Sequence, residues 1–91
     1  MRKKIDKAKL REPSARIRKI LADNMRAFRK ARSLSQEELA EICDLHRTYV
    51  GSVERGERNV TLSTLEVIAT AVGVSVPELL TEKSLEGHGQ Q

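Results

Sequence analysis

The 91-residue sequence contains no tryptophan, one phenylalanine (Phe28), one tyrosine (Tyr49) and one cysteine (Cys43). With aromatics at 2%, any core must be aliphatic. A β-sandwich or barrel is disfavoured, because strands are rich in aromatic and β-branched residues and no period-2 runs of these occur. A lone cysteine excludes an intramolecular disulfide and a multi-cysteine zinc site, and Cys43 reads as a small apolar core group. No apolar run approaches the roughly 18–20 residues that span a bilayer, and the charged start of the chain is followed by no apolar segment. The expectation is one cytoplasmic domain with no membrane partner. His46 and His88 share no ligand cluster, and there is no nucleophile–base pair or glycine-rich phosphate loop. No enzyme activity, metal, cofactor or small-molecule substrate is therefore expected.

What the chain does have is segregated charge. Residues 1–32 hold 13 of the 17 Lys and Arg against three acids, whereas residues 33–91 hold four cations against ten acids. Such asymmetry points to a polyanion-facing end and a solvated acidic end, with a soluble basic tail as the plainer alternative.

Hydrophobic periodicity and capping signals divide the chain into helices. Residues 1–13 carry few apolar groups (Ile5, Leu10) and end in Pro13, so they read as a basic arm. Ser14 caps a predicted helix running to about Ser33, with an apolar stripe of Ile17, Leu21, Met25 and Phe28 closed by Ala31. Ser35 and Glu38 form a Ser-x-x-Glu capping box before Leu39, Ala40, Ile42 and Cys43, which predicts a short helix over 36–43. Asp44 supplies a turn, Leu45 plugs the core, and His46 stands at the N-cap of a helix from Arg47 to Arg55 that Gly56 stops. Thr61 or Ser63 caps a fourth helix carrying Leu62, Leu65, Ile68, Ala69 and Val72, ended by Gly73. Ser75-Val76-Pro77-Glu78 is a second capping box, opening a short helix through Leu79 and Leu80. A polar tail, 82–91, is expected to fray. The fold class is all-α, five helices over about 14–81.

Two short helices joined by about three residues suit a helix-turn-helix. Leu39, Leu45, Val50 and Val53 bury the inner faces, which would leave Arg47, Thr48, Ser52 and Arg55 outward. An exposed first turn bearing Arg and Thr suits the major groove, where Arg can bond guanine O6 and N7 together and Thr can meet a base edge or a thymine methyl. Any αα-hairpin shows the same periodicity, so the pattern alone leaves a plain solvated face open.

The stretches Leu34-Ser35-Gln36-Glu37-Glu38-Leu39-Ala40, Val53-Glu54-Arg55-Gly56-Glu57-Arg58-Asn59 and Gly73-Val74-Ser75 resemble the Cro/cI-type (XRE-like) helix-turn-helix family. Within it, Arg47 through Arg55 (RTYVGSVER) is similar to the controller proteins of restriction–modification systems. The resemblance covers about residues 21–80. It implies a five-helix, lambda-repressor-like domain that binds a palindromic double-stranded DNA operator as a homodimer, repressing or activating transcription. Carried over by position, it implies base reading by Arg47, Thr48 and Ser52. Gln36, Tyr49, Arg55, Arg58 and Asn59 match backbone-contacting positions, and Arg29 and Glu54 match an internal ion pair. Val74, Val76, Leu79 and Leu80 cannot all face inward on so short a terminal helix, and the family favours a twofold dimer there. Glu37, Glu38 and Glu41 are candidates for a contact with RNA polymerase, a solvated face being the simpler account.

The chain departs from the family at three turns. Ser33 and Asp44 replace the usual glycines, so those residues must adopt a costlier backbone conformation. His46 replaces the usual Ser or Thr cap, and Val60 a common proline. The basic arm lies before the resemblance; DNA phosphates or a solvated tail remain its readings, since Ile5 and Leu10 are too few to anchor a lipid-binding face. The rival function is an antitoxin-type module that sequesters a partner protein, against which stands the short polar sequence after Leu80.

Overall fold

The computed structural model describes residues 9–83. The basic arm through residue 8 and the polar tail from residue 84 lie outside the described residues. A single 3-10 turn, Lys9–Arg11, precedes five helices: α1 Ala15–Ala31, α2 Gln36–Cys43, α3 Arg47–Glu54, α4 Leu62–Val72 and α5 Val76–Leu79. Among the described residues there is no strand, and no helix is long and apolar enough to cross a membrane.

Each boundary has a local cause. The Ser14 hydroxyl accepts from the Ile17 amide at 3.1 Å, and Thr61 rather than Ser63 caps α4 by accepting from the Thr64 amide at 3.2 Å. Both Ser-x-x-Glu boxes close reciprocally: Ser35 with Glu38 and Ser75 with Glu78. His46 makes no capping hydrogen bond, so α3 starts without side-chain help. Ser33 and Asp44 both take φ of 57°, the left-handed conformation that glycine adopts at less cost. Gly73 ends α4 at φ 78°, a backbone conformation that favours glycine, beneath the Arg32 guanidinium.

The core is aliphatic. Met25, Leu39, Val50, Ile68 and Leu79 are wholly buried, surrounded by Leu21, Ala40, Cys43, Val53, Leu65, Ala69 and Val72. α3 packs on α1 and α2, while α4 packs on α1, α2 and α5. Phe28 and Tyr49 are only half-buried at its edge.

Several expectations need correction. The buried face of α1 is Ile20, Leu21, Ala22, Asn24, Met25 and Arg29; Ile17 and Phe28 flank it and Ala31 is exposed. The spacing of apolar residues misplaced this face because two polar side chains belong to it. Asn24 donates to the carbonyls of Leu79 at 2.9 Å and Thr81 at 2.8 Å, satisfying groups left unpaired where α5 ends. Leu62 shares the inward face of α4 but sits in its first turn, where it remains 76% exposed, and Ile42 is also exposed. Leu79 was expected on a dimer surface and is instead a core residue with no exposed area; Val74, Val76 and Leu80 stay half-buried against the core. At the start of the polar tail, Glu82 pairs with Arg16, and the Lys83 ammonium lies 4.2 Å from the centre of the Phe28 ring.

Candidate nucleic-acid interface

α2 and α3 meet through the turn Asp44-Leu45-His46. Ala40 on α2 and Gly51 on α3 are both buried. Gly51 has ordinary helical backbone, and its role is spatial: a Cβ there would lie 3.2 Å from the Arg55 guanidinium and 3.8 Å from the Gln36 amide. A glycine inside a helix costs about 0.5–1 kcal/mol relative to alanine, which is the signal by which sequence reasoning could have singled it out.

One buried ionic network fixes α3 to α1. Arg29 donates from Nε to Glu54 Oε2 at 2.7 Å and from a terminal nitrogen to Oε1 at 3.0 Å, a two-pronged pair of charge-assisted bonds. Its other terminal nitrogen donates to the Leu34 carbonyl at 2.7 Å, in the loop that leads into α2. Gln36 Nε2 donates to the same Glu54 Oε1 at 3.0 Å, and Arg26 donates to the Glu54 main-chain carbonyl. Three elements thus converge on one carboxylate that is only 2% exposed. Gln36, expected at the DNA backbone, is half-buried and oriented by this network.

The outward side of α3 presents Arg47 and Thr48, both exposed in its first turn. Arg47 Nε lies 3.8 Å from Glu37 Oε2, a loose exposed pair that leaves the guanidinium free to move. Tyr49 is half-buried and packs against the core. Ser52 is not outward: it is 5% exposed, its hydroxyl donates to the Tyr49 carbonyl at 2.7 Å and accepts from Arg58 Nε at 2.8 Å. The helical wheel misplaced it because the α3–α4 loop folds over that face. Arg55, Arg58 and Asn59 are exposed around the end of α3. Arg55 is held by Glu57, with bonds of 2.9 and 3.2 Å. The Arg55 hydrogen bonds hold the Glu57 carboxyl below its ordinary value of 4.5. Glu57 was not singled out in the sequence, and its position beside two candidate phosphate-contacting arginines is visible only in the fold.

Elsewhere the chemistry is quiet. Cys43 is buried, and desolvation pushes its thiol above the ordinary 9.0, away from reactivity. Among the described residues no group of three His, Cys, Asp or Glu side chains is placed to hold a metal.

A helix-turn-helix family model matches residues 25–79, from the middle of α1 to the end of α5. This chain belongs to the helix-turn-helix family, of the XRE-like kind. It is 61% identical over 70 residues to control protein C.SmaI of Serratia marcescens, an alignment covering 77% of this chain and 83% of that protein. Among solved structures it is similar to the hypothetical transcription factor NHTF from Neisseria, at 47% identity and a TM-score of 0.71, covering 78% of this chain and 83% of that one. It is also similar to the restriction–modification controller protein C.Esp1396I, solved as a tetramer in complex with its natural 35 base-pair operator. That match is 29% identical with a TM-score of 0.61, covering 71% of this chain and 96% of the other.

Proposed function

We propose that this protein is a sequence-specific double-stranded DNA-binding regulator of transcription, a restriction–modification controller acting in the cytoplasm as a homodimer on a palindromic operator. The observation that carries the reading is the exposed first turn of α3, Arg47 and Thr48, on a helix locked in place by the Arg29–Glu54–Gln36 network. A rigid helix with a mobile Arg and Thr at its tip suits major-groove entry, Arg47 pairing with a guanine and Thr48 with a neighbouring base edge. Gln36, Tyr49, Arg55, Arg58 and Asn59 set the register on phosphates and sugars, which carry position rather than sequence information. Val74, Val76 and Leu80 supply the apolar remainder for a twofold contact, placing two α3 helices about 34 Å apart along one DNA face. Occupancy of a promoter represses, while upstream binding presents exposed Glu37, Glu38 and Glu41 to RNA polymerase.

The basic arm extends this contact. The Pro13 carbonyl accepts from Arg18 at 2.6 Å, and the same Arg18 donates through Nε to the Gly56 carbonyl at 3.0 Å. Pro13 therefore lies beside the α3–α4 loop, at the edge of the proposed interface, and six cations precede it in the sequence. They track phosphates flanking each half-site.

The test is selection from a pool of random duplexes, sequenced at two salt concentrations. Enrichment of a palindrome with half-sites about one helical turn apart is the expected result. Binding that collapses with salt and enriches nothing would sink the regulator reading and leave a protein-partner role. On the selected operator, Arg47→Ala should cost about 1–3 kcal/mol and relax base preference at one position per half-site.

A further inference from the structure

We infer that Ser52 is a positioning residue that holds Arg58 against α3 and so aims its guanidinium at the DNA backbone. The inference rests on the reading of α3 as the DNA-facing helix. A serine hydroxyl has one proton and two lone pairs, and an arginine side chain can only donate. With its proton committed to the Tyr49 carbonyl at 2.7 Å, the Ser52 oxygen turns a lone pair toward Arg58 Nε at 2.8 Å. The direction of both bonds is thereby fixed, and each polarises the other.

A second restraint comes from the same helix. The Arg58 guanidinium lies 5.3 Å from the centre of the Tyr49 ring, a cation–π distance. Tyr49 and Ser52 are three residues apart, so one above the other on a single face of α3. Together they fix an arginine that lies in the α3–α4 loop, six residues beyond Ser52. Its Nε is used by the protein, while the terminal nitrogens form no hydrogen bond to any other described residue, and the residue is exposed. Arginine otherwise loses much rotamer freedom when it binds, and an arginine already held loses less.

The burial of Ser52 removes it from direct base reading and explains why a small hydroxyl residue serves here. Alanine keeps the helix and deletes both bonds, and a larger side chain would displace Arg58.

The experiment is a double-mutant cycle of Ser52→Ala and Arg58→Ala, read as affinity for the operator that wild-type protein selects and for single-base variants of it, across a salt series. Melting curves verify that each variant is folded; alanine is the strongest helix former. Ser52→Ala should weaken binding about 2- to 12-fold per protomer, equally on every operator variant. Arg58→Ala should lower the salt slope by about 0.9 per protomer, and adding Ser52→Ala to it should change nothing further. A changed base preference in Ser52→Ala, or an equal loss in the Arg58→Ala background, would overturn the inference. If Arg58→Ala alters neither affinity nor salt slope, the loop does not reach DNA and the inference also falls. Failure of the wild-type protein to select any operator would instead overturn the regulator reading itself, and this inference with it.

Discussion

Replacing Glu54 by glutamine removes one charge and almost no volume, and the structure says how much this should matter. The carboxylate receives Arg29 twice and Gln36 once, in a setting where Arg29 is 8% and Glu54 2% exposed. An amide can accept on one atom only, so at least one of these donors meets an N–H, and Arg29 keeps a buried charge with no counterion. Breaking a buried pair in this way costs about 3–5 kcal/mol, much of a small domain's total of about 5–15 kcal/mol. For a chain of this size each kcal/mol shifts the melting midpoint by about 4–8 °C, so a fall of at least about 12 °C is expected. Urea titration followed by far-ultraviolet circular dichroism measures it directly, with an unchanged m-value showing that the unfolded state is not altered.

Two comparisons make the reasoning vulnerable. Glu57→Gln breaks an ion pair with similar distances, but Arg55 and Glu57 are both exposed, so no measurable change in urea midpoint is expected. The double replacement Arg29→Met with Glu54→Leu removes both charges and should recover most of the stability lost by Glu54→Gln. A Glu54→Gln protein within about 1 kcal/mol of wild type would refute the account of the network as a desolvated pair. So would a double replacement no better than the single.

Other consequences follow from the same geometry. Glu57→Gln frees Arg55 from its carboxylate and removes a negative charge from the interface, so affinity for duplex DNA should rise a few-fold at low salt and the gain should shrink as salt is added; unchanged or weaker binding would count against the placement of Arg55 at phosphates. Ser33→Gly relieves a left-handed backbone at φ 57° and should stabilise by about 1 kcal/mol, since a serine there costs more than the added flexibility of the unfolded chain; a lowered melting midpoint would contradict this. The carboxyls of Glu78, held down by the Ser75 backbone amide, and of Asp23, held down by its bond from Lys19, lie below their ordinary values of 4.5 and 3.8. Their stabilisation is complete above those values and is lost as pH falls through the lower folded ones, so melting midpoints should drop in acid and Glu78→Gln should flatten part of that drop.

Helix order and most helix ends were legible because capping chemistry is local. Ser35 with Glu38, Ser75 with Glu78, Thr61 and Gly73 act within four residues of themselves, and the sequence contains their whole mechanism. The turns at Ser33 and Asp44 were legible because related sequences usually place glycine there, which marks a left-handed backbone that these residues must adopt at a cost. What periodicity misread were polar residues on buried faces and apolar ones on exposed faces. Asn24 is buried to bond the end of α5, 55 residues away at Leu79, and no local pattern encodes that partner. Ser52 is covered by a loop whose path depends on Arg58, and Leu79 turns inward because α5 docks on α1 and α4. In each case the deciding neighbour is distant in sequence.

The charge asymmetry carries the same lesson into function. Counted along the chain, the cations of α1 look like a DNA-facing surface, but the fold assigns most of them to the protein itself. Arg16 pairs with Glu82, and Lys19 and Arg26 share Asp23. Arg29 holds Glu54, while Arg18 and Arg32 donate to main-chain carbonyls at Gly56 and at the end of α4. These side chains tie other helices and loops to α1, and Glu82, Asp23 and Glu54 offset part of their charge. On and beyond α3, Arg47, Arg55 and Arg58 are exposed, and the sequence before Pro13 adds further cations. Two parts of the interface therefore have separable roles. Arg55 and Arg58 are oriented by Glu57 and by Ser52 and Tyr49, so they suit contacts of defined geometry, while Arg47 at the tip of α3 is free to adjust to a base. The arm adds charge, so its removal should lower affinity for all duplexes alike and reduce the salt slope while leaving base preference intact.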